Sequence, residues 1–228
     1  MNAWDVTPKE AIALQKELRE RITLVPLKKK PKLIGGCDVS MNMFAKDGYA
    51  GFVVLDAETL RMVDHAVVAK EIPFPYIPGL LSFREIPMLL DAWQKLKTKP
   101  DVLVADGVGI AHPRRLGIAT HLGLVLNIPT IGCAKSVLIG KYKEPKDVFG
   151  AHEPLVDPKT NEVLGAALRS KVGVKPIFIS PGNLITLKES IEIIKQCVIK
   201  HRLPEPTRLA HNTVNEYRVA SMNIDKTS

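Results

Sequence analysis

The chain is poor in cysteine and aromatic residues and has no long hydrophobic run. It holds 3 cysteines and 5% Phe, Trp and Tyr among 228 residues. The odd cysteine count, with no pair at metal-binding spacing, argues against a disulfide framework or a structural zinc site. No stretch approaches the roughly 18 uncharged apolar residues of a membrane-spanning helix. The first fifteen residues carry Asp5, Lys9 and Glu10 instead of a secretion signal. These absences predict a cytoplasmic protein that does not associate with membranes.

The remaining composition is that of a globular protein with an excess of positive charge. Hydrophobic residues make up 46%, and 32 Lys and Arg against 24 Asp and Glu give a net charge of +8. Because no linker or repeat divides the chain, we expect one domain over residues 1–228, with a frayed polar tail at Ser221–Ser228 and a monomer as the default. The charge favours an anionic partner. Each basic cluster, such as Lys28–Lys32, could equally be a solvated loop.

The first third of the chain predicts a helix followed by three antiparallel strands. A capping-box pattern spans Thr7 to Glu10, and apolar residues then recur at helical spacing as far as Ile22. Three β-like runs follow, and their links, one containing Lys46-Asp47-Gly48 and one containing Ala57-Glu58-Thr59, are too short for parallel strands. The runs are Leu33–Val39, Tyr49–Asp56 and Arg61–Ile72.

The middle of the chain predicts a helix and then a strand-helix-strand unit. The segments are a helix at Leu80–Leu96, a strand at Asp101–Ala105, a helix at Leu116–Leu126 and a strand at Ile128–Ala134. Three antiparallel strands, a helix and a βαβ unit follow the order of the ribonuclease-H-like fold, an α/β fold whose mixed central sheet is flanked by helices. In that fold the first and fourth strands lie side by side and parallel.

The secondary structure of the last third of the chain is less clearly predicted. The apolar runs at Val163–Leu168 and Pro176–Ser180 could be extra strands or loop pieces. A second capping box at Thr186–Glu189 opens a helix that we expect to reach His201, and another helix is expected over Thr207–Val219.

Two of the predicted strands carry an acidic residue at the same end. Asp38 and Asp106 each follow an apolar strand, so neighbouring strands would bring both carboxylates to one edge of the sheet. A divalent cation would relieve their repulsion, and Glu85 on the intervening helix could add a third oxygen ligand, a set that suits Mg²⁺ or Mn²⁺. Taken singly, the two aspartates could instead cap turns. Glu85 could close a capping box with Ser82.

The segment around Tyr76 is unusually stiff. Pro75 and Pro78 enclose Tyr76 and Ile77, and proline restricts both its own backbone and that of the preceding residue. A rigid aromatic tip of this kind could act as a wedge that unstacks bases, as in proteins that kink DNA or flip a nucleotide out of the duplex. It could also be a proline-rich turn whose tyrosine packs on the core.

Four stretches resemble the endonuclease V family of deoxyinosine-specific repair nucleases. They extend over most of the chain, from about Leu33 to about His211. The stretches are Pro75–Glu85, Asp106–Gly117, Pro129–Lys135 and Arg202–Arg208. The resemblance implies the ribonuclease-H-like fold and Mg²⁺-dependent hydrolysis of DNA near a deaminated adenine. In that family the nick falls at the second phosphodiester 3′ to the lesion and leaves 3′-hydroxyl and 5′-phosphate ends.

The same resemblance implies roles for the polar residues. Asp38 and Asp106 would be the metal ligands, and Glu85 would hold metal-bound water or complete the ligand shell. His211 would orient or deprotonate the attacking water, or contact the metal. Lys135 would pair with the phosphate as a point charge.

A lesion pocket and a wedge complete the implied site. Glycines would let the backbone approach a flipped hypoxanthine closely and read its edge. The implied substrate contacts are the pocket residues Gly107, Gly109, His112 and Gly117, the wedge residues Pro75, Tyr76, Ile77 and Pro78, and the phosphate-binding Arg84, Arg114 and Arg115. The chain departs from many relatives at Val108, where they carry His or Asn. Because Val108 donates no side-chain hydrogen bond, we expect a different lesion preference or rate.

Other functions compete with this interpretation. The Gly107-Val108-Gly109 turn after a strand is found in dinucleotide-binding folds, but His112 stands where the third glycine would be, and Asp106 would repel a pyrophosphate. A nucleic-acid-binding protein without catalytic activity could use the same basic surface and wedge. Within the nuclease class, the substrate could be inosine in RNA, which differs at the 2′-hydroxyl.

Overall fold

The computed structural model describes residues 4–41, 47–72 and 74–225, and the side chains as far as residue 221. One mixed sheet has the strand order β3-β2-β1-β4-β5-β8-β7-β6. The strands are β1 (Leu33–Ser40), β2 (Asp47–Asp56), β3 (Met62–Glu71), β4 (Val102–Asp106), β5 (Thr130–Ala134), β6 (His152–Val156), β7 (Val163–Leu168) and β8 (Ile177–Asn183). The helices are α1 (Pro8–Arg19), α2 (Leu81–Lys95), α3 (Ile118–Leu126), α4 (Leu187–Gln196) and α5 (Glu205–Asp225).

The order of the first five strands agrees with the sequence prediction. β1, β2 and β3 form an antiparallel meander, and β1 pairs with β4 in parallel. β4 and β5 are also parallel, and the connection through α3 is long enough to join two parallel strands. The ribonuclease-H-like fold is thus confirmed, and the ends of β1 and β4 meet at one edge of the sheet.

Helices cover both faces of the sheet because strand side chains alternate between the faces. Leu103 of β4 packs in a buried cluster with residues of α2 and α3. Val102 and Val104, its neighbours along the strand, pack instead in a cluster with α4. Val53 of β2 contacts Ala210 of α5. The α2 and α3 helices therefore lie on one face, and α4 and α5 lie on the other.

Helix α5 approaches β1 closely at a glycine. A Cβ atom on Gly36 would lie 2.0 Å from the carbonyl oxygen of Pro206. That oxygen belongs to the backbone and cannot rotate away, so any side chain at this position would displace the helix that carries His211.

We expect Gly36→Ala to lower the free energy of unfolding by about 3 kcal/mol, as overpacking of a close contact does. Urea unfolding checks this value. Gly173→Ala is the matched control, because a Cβ there meets nothing within 4 Å and only its φ of +75° opposes the side chain. The control is expected to cost about 1 kcal/mol, and an equal cost at the two positions would contradict the tight packing of α5 on β1.

Several element predictions need correction. The undecided apolar runs are strands β7 and β8, and β6 was missed because its short, proline-containing segment lacks an apolar run. Helix α4 ends at Gln196 instead of near His201, since the following segment turns and Glu205 N–H donates to the Cys197 carbonyl.

Helix α5 extends beyond both predicted ends. It begins at Glu205 and continues to Asp225, so the part of the predicted frayed tail that the structure describes is helical. Asp47 and Gly48 belong to β2 instead of the predicted link, whose Lys46 lies outside the described residues. Among the residues that the structure describes, no helix has the length and apolar character to cross a membrane.

Candidate active site

Three carboxyl groups meet where β1 and β4 end. The parallel register of these strands makes Asp38 and Asp106 neighbours at the same edge of the sheet. Glu85 approaches from α2 on the covering helix layer. Together with the apolar side chain of Ile118, the three acidic residues border a cavity of about 220 Å³.

Asp38 is held by a chain of hydrogen bonds from α5. Its Oδ2 lies 2.8 Å from His211 Nδ1, and His211 Nε2 lies 3.0 Å from the side-chain amide nitrogen of Asn215. The Ser40 hydroxyl donates to Asn215 Oδ1 at 2.8 Å. Because the Asn215 side-chain nitrogen is a hydrogen-bond donor facing Nε2, Nδ1 is the ring nitrogen that donates to Asp38.

Asp106 is held by Lys135, the residue that follows β5. Lys135 Nζ donates to Asp106 Oδ2 at 2.6 Å, and the lysine side chain is 46% exposed. Arg202, in the connection between α4 and α5, donates from Nη2 to the Lys135 carbonyl at 2.8 Å. The backbone of Lys135 is therefore fixed, while its half-exposed ammonium group can also reach a ligand at this edge.

Burial and mutual repulsion act on the carboxyl groups. Desolvation, with smaller contributions from the charges of Asp38 and Asp106, raises the pKa of Glu85 to about 8. Desolvation also raises the pKa of Asp38, while the hydrogen bond from His211 opposes that shift. Close acidic groups with a raised pKa in a cavity are typical of functional sites.

The donor set fits a hard divalent cation. Three carboxyl groups face one cavity, and the desolvation that penalises their negative charge would be offset by a cation bound among them. Within the described ranges no three acidic, His or Cys side chains already surround one point. Asp38 and Asp106 are directed at His211 and Lys135 instead. Binding a cation would thus require the two aspartates to exchange these partners for the ion.

An apolar pocket of about 340 Å³ opens beside the carboxylate cavity, and Ile118 borders both. Three of the residues expected at the wedge and three of those expected at the lesion pocket line it, together with the divergent Val108. They are Tyr76, Ile77, Pro78, Gly107, His112 and Gly117. The Tyr76 side chain is 55% exposed, so the ring stands at the pocket rim and is not packed in the core.

Part of this wall was not predicted from the sequence. Ser136, Val137 and Leu138 complete the pocket opposite the Tyr76 loop. They directly follow Lys135, and the apolar residues Val137 and Leu138 just after a strand end were the available signal.

The Tyr76 loop is tied to the pocket through the carbonyl of Gly79. Gln15 of α1, which is completely buried, donates to this oxygen from Nε2 at 3.0 Å. Arg114 Nη2 donates to it at 2.8 Å, and His112 hydrogen bonds to it as well. Burial, followed by the charge of Arg114, lowers the pKa of His112 to about 4, so its ring is neutral at pH 7. This convergence fixes the loop relative to the pocket wall.

The arginines expected at phosphates form contacts within the protein. Arg84 is 5% exposed and donates from Nη1 to the Phe74 carbonyl at 2.8 Å. Arg115 is 7% exposed, and its Nη2 pairs with Asp157 and Glu162 at 2.7 Å each. Burying a charged side chain beside such partners is favourable only if they are retained. We therefore correct the expectation that Arg84 and Arg115 bind phosphates. Arg114 donates a hydrogen bond to the Gly79 carbonyl.

Two further expectations do not hold. A Cβ on Gly109 would lie 2.1 Å from the Pro181 carbonyl oxygen, so this glycine permits packing against β8 and is not part of the pocket lining. The alternative capping box at Ser82 is absent, because α2 has no side-chain cap and the Ser82 hydroxyl lies 3.0 Å from His121 Nδ1. The Glu85 carboxyl group therefore takes no part in a helix cap and borders the carboxylate cavity.

The ribonuclease-H-like sheet carries neighbouring acidic residues at the ends of its first and fourth strands. This arrangement is typical of nucleases, which hydrolyse phosphodiester bonds. The chain belongs to the endonuclease V family, whose model matches residues 16–212. It is 45% identical over 221 residues to endonuclease V of Myxococcus xanthus, covering 96% of this chain and 93% of that protein. It is 50% identical over 204 residues to endonuclease V of Dictyoglomus thermophilum, covering 89% and 87%.

Solved structures agree with this assignment. The crystal structure of endonuclease V from Streptomyces avermitilis superimposes with a TM-score of 0.91 at 38% identity, covering 97% of both chains. Ciona intestinalis endonuclease V, in complex with a 24mer DNA containing an inosine followed by a ribo-adenosine, has a TM-score of 0.82 at 29% identity, covering 93% of this chain and 98% of that one.

Proposed function

We propose that this protein is a magnesium-dependent repair endonuclease that recognises deoxyinosine in DNA and hydrolyses the second phosphodiester 3′ to the lesion, leaving 3′-hydroxyl and 5′-phosphate ends. The observation that carries the proposal is the shared wall of two cavities. Ile118 separates an apolar pocket from a cluster of three carboxyl groups. A base held in the pocket would place the backbone of its own strand near that cluster.

Asp38 and Asp106 are the proposed metal ligands, and Glu85 completes the shell or holds its water. A bound Mg²⁺, for which Mn²⁺ can substitute, supplies charge neutralisation at the phosphate and a more acidic water. The Asp38 carboxylate fixes the His211 ring through Nδ1, and Asn215 holds the opposite ring nitrogen. When Asp38 exchanges His211 for the cation, Nδ1 would be released to orient the attacking water beside the carboxylates, while Asn215 keeps the ring in place.

Lys135 is the proposed phosphate partner. Its ammonium group pairs with Asp106, and a phosphate at this edge would replace that carboxylate as its acceptor. The exchange keeps the ammonium group paired in both states, so its charge is never left without a counter-charge beside the cavity.

The lesion pocket would hold the flipped hypoxanthine. Gly107 and Gly117 bring backbone groups to its wall, and neutral His112, whose ring hydrogen bonds to the Gly79 carbonyl and the Arg114 N–H, lines the wall without adding charge. Tyr76, with Pro75, Ile77 and Pro78, would fill the space that the flipped base leaves in the duplex. Flipping costs a few kcal/mol, least for a damaged or mismatched base, which favours the lesion over normal adenine.

Inosine in RNA is the second candidate substrate. The DNA bound to the Ciona intestinalis protein contains a ribo-adenosine after the inosine, so that relative accepts a ribonucleotide beside the base. A 2′-hydroxyl next to the lesion is therefore a chemistry to test for this chain.

A denaturing gel tests the function. An end-labelled duplex with one deoxyinosine, a duplex with adenine at that position and an inosine-containing RNA would be incubated with the protein in Mg²⁺ or EDTA. We expect a nick one nucleotide beyond the lesion in Mg²⁺ only, and none with adenine. Cleavage of the RNA alone would make inosine in RNA the substrate and leave the proposed hydrolysis unchanged. Binding without cleavage of any substrate would refute the nuclease assignment of this site.

A further inference from the structure

A second group of basic residues lies next to the candidate active site and does not line the apolar pocket. It is formed by the β7–β8 connection and the α4–α5 connection. Residues 170–176 and 197–203 contain no Asp or Glu. We refer to the group as the second basic surface, which consists of Lys171, Lys175, Lys200, His201 and Arg202.

Hydrogen bonds join the two connections into one surface. Lys171 Nζ donates to the Lys200 carbonyl at 3.1 Å. The Ser170 hydroxyl donates to the Arg202 carbonyl at 2.6 Å, and Arg202 Nε donates to the Lys175 carbonyl at 2.8 Å. The backbones of the two connections and the Lys171 ammonium group are thus held in place, which reduces the entropy that a bound partner would have to remove.

The surface is continuous with the catalytic edge of the sheet. Arg202 Nη2 donates both to the Lys135 carbonyl, at 2.8 Å, and to the Pro176 carbonyl, at 2.7 Å. Lys135 in turn contacts Asp106. One guanidinium group therefore connects the residue proposed to bind the scissile phosphate with the second basic surface.

Nearby carboxylates do not neutralise these lysines. Asp147 accepts from the Gly173 N–H but pairs with Arg169, as does Glu144. Glu205 is buried and pairs with Arg208. Among the residues described, no carboxylate lies within ion-pair distance of Lys171, Lys175 or Lys200.

The two sides of the active site differ in character. The apolar pocket is built from the α2 and α3 side of the sheet, whereas the second basic surface belongs to the side of α4 and α5. Because the proposed nick is 3′ to the base, the strand on that side of a base in the pocket has to pass the carboxylates. Beyond Asp106 it meets Lys135 and Arg202, which connect to the second basic surface.

We propose that the second basic surface binds the sugar-phosphate backbone of the cleaved strand on the 3′ side of the nick. This inference rests on the proposed function. The contacts would be sequence-independent, because lysine ammonium groups pair with phosphates and read no base edges. They would hold the 5′-phosphate product strand after hydrolysis as well as the substrate before it.

The test compares duplexes that end just beyond the nick with duplexes that extend a full helical turn beyond it. The variant is K171Q/K175Q/K200Q, and the control is K28Q/K30Q/K97Q, whose lysines are exposed near the opposite ends of β1 and β4. Fluorescence anisotropy in increasing salt gives the affinity. For the extended duplex, we expect the variant to lower the slope of log affinity against log salt by about 2.7, or 0.9 per lost phosphate contact.

The short duplex and the control variant are expected to keep their salt slopes. An equal loss on both duplexes would overturn the proposal, as would a loss that follows extension on the 5′ side instead. Anisotropy needs no cleavage, so its outcome stands apart from the nicking assay. A wild-type protein that fails to nick deoxyinosine refutes the proposed function, and the flank dependence still decides the role of the second basic surface.

Discussion

Replacing Asp106 with asparagine is expected to lower the nicking rate on deoxyinosine DNA by more than about 10³-fold, exceeding the loss of a single oxyanion-stabilising donor. The substitution keeps the size of the side chain and removes one of the two proposed metal ligands. It also leaves Lys135 without the carboxylate that it contacts at 2.6 Å. Single-turnover nicking in saturating Mg²⁺ measures the effect.

Lesion binding should survive the same substitution. The pocket and the Tyr76 loop are built from other residues, so the affinity for the deoxyinosine duplex should change by much less than the rate. Stability should also be retained, because the half-exposed Lys135 ammonium group stays solvated without its partner and the repulsion of Glu85 is reduced. Asp91→Asn is the control, since Asp91 forms an exposed pair with Lys70 and lines neither cavity. Parallel loss of binding and cleavage would contradict this separation of roles.

Tyr76→Ala is expected to reduce the nicking of duplex substrate by about 10- to 100-fold, since stacking on an aromatic side chain is worth about 1–3 kcal/mol per base. The loss should be smaller on single-stranded DNA carrying deoxyinosine, because no base pair has to be opened there. The ratio of the duplex and single-strand rates is the measurement. A general loss of folded protein would lower both rates equally and leave that ratio unchanged.

The matched control for this experiment is Tyr217→Ala. Tyr217 is also an exposed tyrosine, at 44%, and its ring contacts Tyr49 beside α5 and β2. It should leave the ratio of the two rates as in the wild type. Full duplex activity in Tyr76→Ala would remove the wedge from the proposed mechanism.

The parts of the fold that were predictable have strong local patterns. The capping boxes at Thr7 and Thr186 start helices as expected. The apolar strands β1 and β4 could be placed because each is short, buried and bounded by polar residues. Once their parallel pairing was inferred from the element order, the proximity of Asp38 and Asp106 followed.

The errors arose where a side chain depends on partners far along the chain. Arg115 has the sequence character of a surface cation, but its carboxylate partners lie 42 and 47 residues away. Gln15 has no motif at all, and only the folded chain brings it to Gly79, 64 residues later. Asn215 reaches His211 across one helical turn, but its role becomes apparent only in the folded chain, where Asp38 lies beside His211. Such contacts leave no periodicity in the sequence.

Helix α2 faces both cavities from a single turn. Ser82 lines the apolar pocket, and Glu85, three residues later, borders the carboxylate cavity. One turn of an α-helix rises about 5.4 Å, and its backbone hydrogen bonds maintain that length. In the proposed enzyme this turn fixes the distance between the base that is recognised and the bond that is broken. Changes at Val108 or elsewhere in the pocket wall can alter which base is accepted, while the position of the cut stays the same.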